Sequence, residues 1–233
     1  MIRIEGLVFD KDGTLFDFNA TWGAWTRTML RSEAGGDRDL EARLAEALGF
    51  DRDAARFRPG SIVIAEPVQV VARQIQQITG ERDLDALMTR MNEAAALVPQ
   101  RPAADLPRLM DDLRVRGLKL GVATNDAEAP ARAHLKAEGI IDRFAFIAGA
   151  DSGFGHKPQA GQLRAFLTAT GLSAASCAMV GDSTHDLAAG RAAGMACVGV
   201  LTGPAPREEL EPFADVVLET IGDLPGWIDR VVR

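Results

Sequence analysis

An apolar run from Ile4 to Phe9 stops at two carboxylates, Asp10 and Asp12, and Gly13-Thr14 follows at once. No other stretch constrains the fold as much. A run with Leu7 and Val8 inside it and no polar alternation reads as a strand buried on both faces, which is how strands of parallel sheets look. In an open α/β sheet, acids at the carboxyl end of such a strand lie where ligands bind. Two carboxylates this close push each other's pKa up, so a cation or a proton is expected with them. A polar turn after a strand would also carry Asp and Gly. What separates turn from site is what the rest of the chain brings to the same edge.

From Phe16 to about Val98 the apolar spacing is helical. Trp22, Trp25, Met29 and Leu30 share one face, Leu40, Leu44 and Leu48 another, then Val68 to Ile78, then Leu84, Leu87, Met88 and Met91. Gly35-Gly36, Gly80 and the turn-rich stretch 56–61 separate them, and Ile62 to Ile64 is too brief to count as a strand. Pro99 and Pro102 resist both helix and sheet and read as a linker. Beyond them strand and helix alternate. Strands are expected over 118–124, 144–148, 177–181, 196–201 and 216–218, and helices over 106–113, from Pro130's turn to Gly139, 158–171 and up to Gly194. That order predicts an α/β fold with a doubly wound parallel sheet and right-handed crossovers. The core is discontinuous, 1–16 and 100–233, and an all-helical domain, 17–99, is inserted after the first strand.

The chain has 233 residues, 47% hydrophobic and 25% charged, enough for a soluble domain with a substantial core. A net charge of −7 argues against non-specific nucleic-acid binding. No apolar stretch approaches a membrane span, and the first residues lack the basic and apolar regions of a signal peptide, so a cytoplasmic protein with no membrane partner is expected. Cys177 and Cys197 sit in apolar runs and read as buried thiols. Nothing in the pattern sets an oligomeric state.

The carboxyl edge of the expected sheet gathers Asp10, Asp12, Thr124, Asn125 and Asp182, with Asp186 four residues further on and Lys157 just before a helix. Converging carboxylates suit a hard divalent cation such as Mg²⁺. The Thr124 hydroxyl and Asn125 amide can bind phosphate oxygens, and Lys157 offers positive charge. A carboxylate nucleophile beside a metal makes covalent phosphoryl transfer feasible, and it depends mainly on positioning and charge. Asp12 is placed to protonate a leaving alcohol and then to activate water.

Residues 10–14 (Asp-x-Asp-Gly-Thr), the Thr124-Asn125 strand end, Lys157-Pro158 and Gly181-Asp182-x-x-x-Asp186 resemble, in order, the four motifs of the haloacid dehalogenase superfamily. The insert resembles that superfamily's C1 cap, and the layout is similar to its phosphoglycolate phosphatase-like branch. The resemblance implies a Mg²⁺-dependent phosphoric monoester hydrolase for a small phosphorylated metabolite, phosphoglycolate-like or a sugar phosphate. By it Asp10 is nucleophile and metal ligand, and Asp12 is general acid/base with its backbone carbonyl on the metal. Thr124 binds the phosphoryl group, Lys157 orients nucleophile and phosphate, Asp182 ligates Mg²⁺, and Asp186 supports it. Lys11 stands where relatives more often carry an apolar residue; its side chain is expected to point away from the sheet edge. Ala160 stands where many have a second proline.

Blander roles compete at several positions. Asp186 can cap the helix that reaches Gly194, and Asn125 or Asp126 can cap another. His134 reads as a helix surface residue, His156 and His185 as neighbours of the site, and the Trp22/Trp25 stripe as cap core. Arg56 and Arg58 lie on a cap loop of the kind that contacts substrate in this family. A phosphomutase would use the same acids. A dehalogenase is disfavoured by Asp12, and a phosphonatase by Asp12 and by the absence of lysine between Phe16 and Val98. A phospho-acceptor signalling protein would need its acids on different strands, and a non-catalytic binding protein would not need the full set.

Overall fold

A computed structural model describes residues 4–58 and 60–231; the extreme ends of the expected core, and Pro59 in the expected turn, lie outside them. The chain enters through β1 (Gly6–Phe9) and passes at once into the insert. There it forms α1 (Phe18–Glu33), α2 (Arg38–Ala47), β2 (Phe50–Asp51), β3 (Arg56–Phe57), α3 (Ile62–Ala65), α4 (Val68–Thr79) and α5 (Leu84–Ala96). It returns through α6 (Leu106–Val115), β4 (Lys119–Ala123), α7 (Glu128–Ala137), β5 (Phe146–Ala148), α8 (Gly161–Thr170) and β6 (Cys177–Gly181). It ends with α9 (Thr184–Ala193), β7 (Ala196–Val200), α10 (Arg207–Leu210), β8 (Val216–Leu218) and α11 (Leu224–Val231).

Six strands form one sheet in the order β5-β4-β1-β6-β7-β8, and every pairing is parallel. The winding reverses about β1, which lies between β4 and β6, so the crevice of a doubly wound sheet opens at its carboxyl end. Both faces of β1 are buried. Leu7 and Phe9 join Leu109, Leu113, Leu120, Val122 and Trp227 in one cluster, while Val8 faces Leu163, Phe166 and Met179 in another. That double burial explains the unbroken apolar run. Phe166 packs close to the sheet where Gly6 and Gly121 leave room; a Cβ on Gly121 would come within 2.6 Å of its ring.

Residues 18–98 close over their own apolar cluster, with Phe18, Leu30, Leu44, Leu48, Ile75 and Leu87 buried in it. The helical period therefore serves a second core. The insert is not wholly helical: β2 and β3 pair antiparallel, with the Phe50 and Phe57 rings 5.1 Å apart. Strands of two residues are too short for alternation to register in sequence. α11 lies beyond the elements expected from the sequence, and Pro225 falls in its first turn. Proline is tolerated in a first helical turn, and α11 places Trp227 and Ile228 in the main core. The two connections to the insert run side by side, with Asp17 N–H on Arg101 O (2.8 Å) and Ala103 N–H on Leu15 O (2.9 Å). Among the described residues no helix is long and apolar enough to cross a membrane.

Candidate active site

Backbone pairing sets the site. Asp10 N–H extends the ladder onto Val180 O (2.8 Å), and Thr124 N–H onto Ala148 O (3.0 Å), so both residues leave the sheet at its carboxyl edge. Asp182 follows the last residue of β6. Lys157 arrives on the loop before α8, held by the Asn125 amide. Asn125 Nδ2 donates to Lys157 O, and Lys157 N–H donates to Asn125 Oδ1, both at 2.9 Å. Gln162 anchors the same strand end by donating to Thr124 O at 2.9 Å.

The Lys157 ammonium reaches Asp10 Oδ1 at 2.5 Å and Asp186 Oδ1 at 2.6 Å, and all three groups are buried. Asp186 has two roles at once. Its Oδ2 accepts from Ser183 N–H (3.0 Å) and Ser183 Oγ–H (2.7 Å), completing the capping box of α9 while Oδ1 holds Lys157. Asp182 Oδ1 accepts from Thr14 Oγ (3.1 Å). Carboxylate oxygens of Asp10, Asp182 and Asp186 lie within 4.8 Å of one another. Gly13 (φ +86°) and Gly203 press against Asp182: a Cβ would stand 2.3 Å from its Oδ2 at Gly13 and 1.7 Å at Gly203. Neither glycine was singled out in sequence beyond the turn after Asp12.

Three buried carboxylates thus lie together, with the Lys157 ammonium paired to Asp10 and Asp186. Burial, reinforced by Asp186 and Asp12 against the pull of Lys157, pushes Asp10 up to about 7. Burial and then the Asp10 and Asp186 charges hold Asp182 well above the usual carboxylate range. Burial works against the Lys157 charge, but Asp10 and Asp186 outweigh it and keep the ammonium firmly protonated. The donor set is all oxygen and short of positive charge, so it fits a hard cation.

Lys11 contradicts the sequence expectation. It is wholly buried, with its ammonium 2.6 Å from Asp12 Oδ2, 3.2 Å from Asp126 Oδ2 and 3.2 Å from His134 Nδ1, and 5.3 Å from the centre of the Trp22 ring. Its position has a simple cause. Lys11 continues the face of Leu7 and Phe9, which the helices cover, whereas Asp10 and Asp12 continue the face of Val8 (period two). That spacing was the available signal. His134 is also buried rather than a surface residue; its Nε2 meets Ala95 O of α5 at 2.8 Å. With Lys11 donating to Nδ1, the proton sits on Nε2 and the ring is neutral; burial and the Lys11 charge depress its pKa to about 4. Trp22 belongs to the insert's core, as expected, and also donates Nε1–H to Asp12 Oδ1 at 2.9 Å.

Thr124 is buried, and its Oγ accepts from Asp126 N–H at 3.1 Å. Arg56 and Arg58 are not brought to the site. Both are exposed, Arg58 pairs with Glu46 at 2.8 Å, and neither lines the cavity. His185 does line it, with Nδ1 buried and without a partner among the described atoms. His156 Nδ1 meets the Lys157 carbonyl at 3.1 Å. Cys177 and Cys197 are buried free thiols, pushed by burial up to about 11. The cavity, about 100 Å³, lies between the sheet edge and the insert, with room for several water-sized groups.

Comparison with known proteins agrees with this geometry. The haloacid dehalogenase-like hydrolase family matches residues 4–194. The protein named Probable phosphatase IndB from Dickeya dadantii is 30% identical over 232 residues, 97% of this chain and 94% of its own. The phosphoglycolate phosphatase of Neisseria meningitidis is 29% identical over 228 residues, 97% of this chain and 89% of its own. The crystal structure of a predicted phosphoglycolate phosphatase from Haemophilus somnus superposes with a TM-score of 0.73 at 19% identity, covering 97% and 99% of the two chains. The chain belongs to the haloacid dehalogenase-like hydrolases. Within that family it is a phosphatase, the activity carried by the names of relatives that match it almost end to end.

Two expectations follow. Unfolded, Asp10 ionises near 3.8; folded and metal-free, it keeps its proton to about 7. The Asp10 share of stability is therefore complete below the lower value and lost as pH climbs through the higher one. Asp10→Asn should melt above the wild type at about pH 8 in chelator, with the gap closing toward about pH 4; a gap independent of pH would contradict this. Lys11→Met should cost about 3–5 kcal/mol of stability, because it strips a buried cluster of its cation, and an unchanged unfolding midpoint would contradict that role.

Proposed function

We propose that the chain is a Mg²⁺-dependent phosphatase that hydrolyses a small phosphate monoester through an aspartyl-phosphate on Asp10. The observation that carries this reading is the cluster of Asp10, Asp182 and Asp186 around the single Lys157 ammonium at the carboxyl edge of the sheet. The names of the relatives make phosphoglycolate the first ester to test.

Asp10 and Asp182 would hold the cation with the Asp12 carbonyl, and Asp186 would back them through its bonds to Lys157 and Ser183. Bound there, Mg²⁺ supplies the positive charge that lets an anionic phosphoryl group approach an anionic nucleophile. Thr124 and Lys157 bind the non-bridging phosphoryl oxygens. Asn125, expected on the phosphate itself, has both amide atoms on the Lys157 backbone and acts by holding that lysine in place. Asp10 forms the new bond to phosphorus as the ester P–O bond breaks, and the departing oxygen takes a proton from Asp12. Asp12, now a carboxylate, takes a proton from water, whose oxygen attacks phosphorus, and Asp10 is released with inorganic phosphate. The Lys11 ion pair and the Trp22 hydrogen bond fix the Asp12 carboxyl from both sides. A mutase would use the same acids but return an isomer instead of phosphate.

Asp10→Asn should reduce Mg²⁺-dependent phosphate release to background. Asp12→Asn should slow an alkyl phosphate by about 10²–10⁴-fold and p-nitrophenyl phosphate far less, since that leaving group needs no proton. Chelation should stop turnover and Mg²⁺ restore it. Undiminished turnover by Asp10→Asn would remove Asp10 as nucleophile.

A further inference from the structure

The cavity has two walls of opposite character. The sheet edge supplies the charged groups. The facing wall, from the insert, presents Trp25 of α1, Val63 and Ile64 of α3, Val68 and Val71 of α4, and Met91 of α5. Its polar side chains are Glu66, at the end of α3, and Asn92, with the Trp22 indole N–H already given to Asp12. Among the described lining residues the nitrogen bases are Lys157 and His185, and both come from the core. Lys157 is engaged by two carboxylates, and the arginines Arg56 and Arg58 stand outside.

A phosphoryl group has its partners at the sheet edge, so whatever it is esterified to must lie against the insert. A second anionic group there would lose water against aliphatic and indole surface, meet no cation from the insert, and face the like charge of Glu66. An apolar body would gain by burial on the same surface. We infer that the substrate is the phosphate ester of an uncharged, largely apolar alcohol or phenol, with at most one hydrogen-bonding group for Asn92, and that carboxylated or doubly phosphorylated esters are selected against. This rests on the phosphatase reading above, and it parts from the phosphoglycolate named in relatives, whose carboxylate finds no counter-charge on this wall. Specificity here is set by repulsion and desolvation as well as by attraction.

The test compares kcat/KM of the full chain with Mg²⁺ on benzyl phosphate, 4-carboxybenzyl phosphate and phosphoglycolate, with p-nitrophenyl phosphate as a generic ester. Benzyl phosphate should exceed both carboxylated esters by at least about tenfold. Glu66→Lys, which places a cation on the apolar wall, should raise the carboxylated esters and close the gap. Carboxylated esters turned over as well as benzyl phosphate would overturn the inference, as would a gap that Glu66→Lys leaves intact. In both cases the phosphatase reading stands, because phosphate is still released. No phosphate from any ester would overturn that reading, and this inference with it.

Discussion

Three carboxylates buried around one ammonium form the constraint on which the rest of this structure depends. Carboxylate oxygens of Asp10, Asp182 and Asp186 lie within 4.8 Å of one another; Lys157 pairs with Asp10 and Asp186, and Thr14 donates to Asp182. Like charges held this close in a dry site raise their own pKa values until protons or a cation make up the difference. The protein spends much of its local architecture on keeping them there. The strand ladder places Asp10 and Asp182, the capping box of α9 orients Asp186, the Asn125 amide fixes Lys157, and two glycines close on Asp182. Buried acids with raised pKa values, gathered at a sheet edge and short of positive charge, mark this as a functional site.

The second polar cluster ties the insert to that site. Lys11 pairs with Asp12 and Asp126, His134 bridges Lys11 to the α5 carbonyl of Ala95, and Trp22 of α1 bonds to Asp12. Two helices of the insert thus contact the proposed acid/base or its immediate partners. The orientation of Asp12 depends on the seating of the insert, so the wall that faces the substrate and the group that moves the proton are mechanically connected. That wall is mostly apolar, its polar side chains being Glu66 and Asn92.

The sheet and its edge were legible because parallel strands leave unbroken apolar runs, and because polar residues follow them in chain order at 10, 124 and 182, with Lys157 on the loop before α8. Helical spacing likewise revealed the insert, since 18–98 fill a core of their own. Other features were not legible, among them a hairpin, two buried side chains and two arginines. The hairpin of β2 and β3 is too short for any periodicity. His134 was read as a helix surface residue and Lys11 as pointing away from the sheet edge, whereas their positions on covered faces decided their burial. Arg56 and Arg58 were read by loop character, but loops of an insert point where its packing sends them, and these two point to solvent and Glu46.

In the proposed mechanism the excess negative charge at the sheet edge holds one divalent cation. Calorimetric titration of the metal-free chain with Mg²⁺, repeated at about pH 6 in buffers of different ionisation enthalpy, measures both binding and proton release. One Mg²⁺ per chain should bind, with protons released because burial keeps Asp10 largely protonated at that pH, and Asp182→Asn should abolish the heat. Binding that survives Asp182→Asn, or no binding by the wild type, would contradict the account.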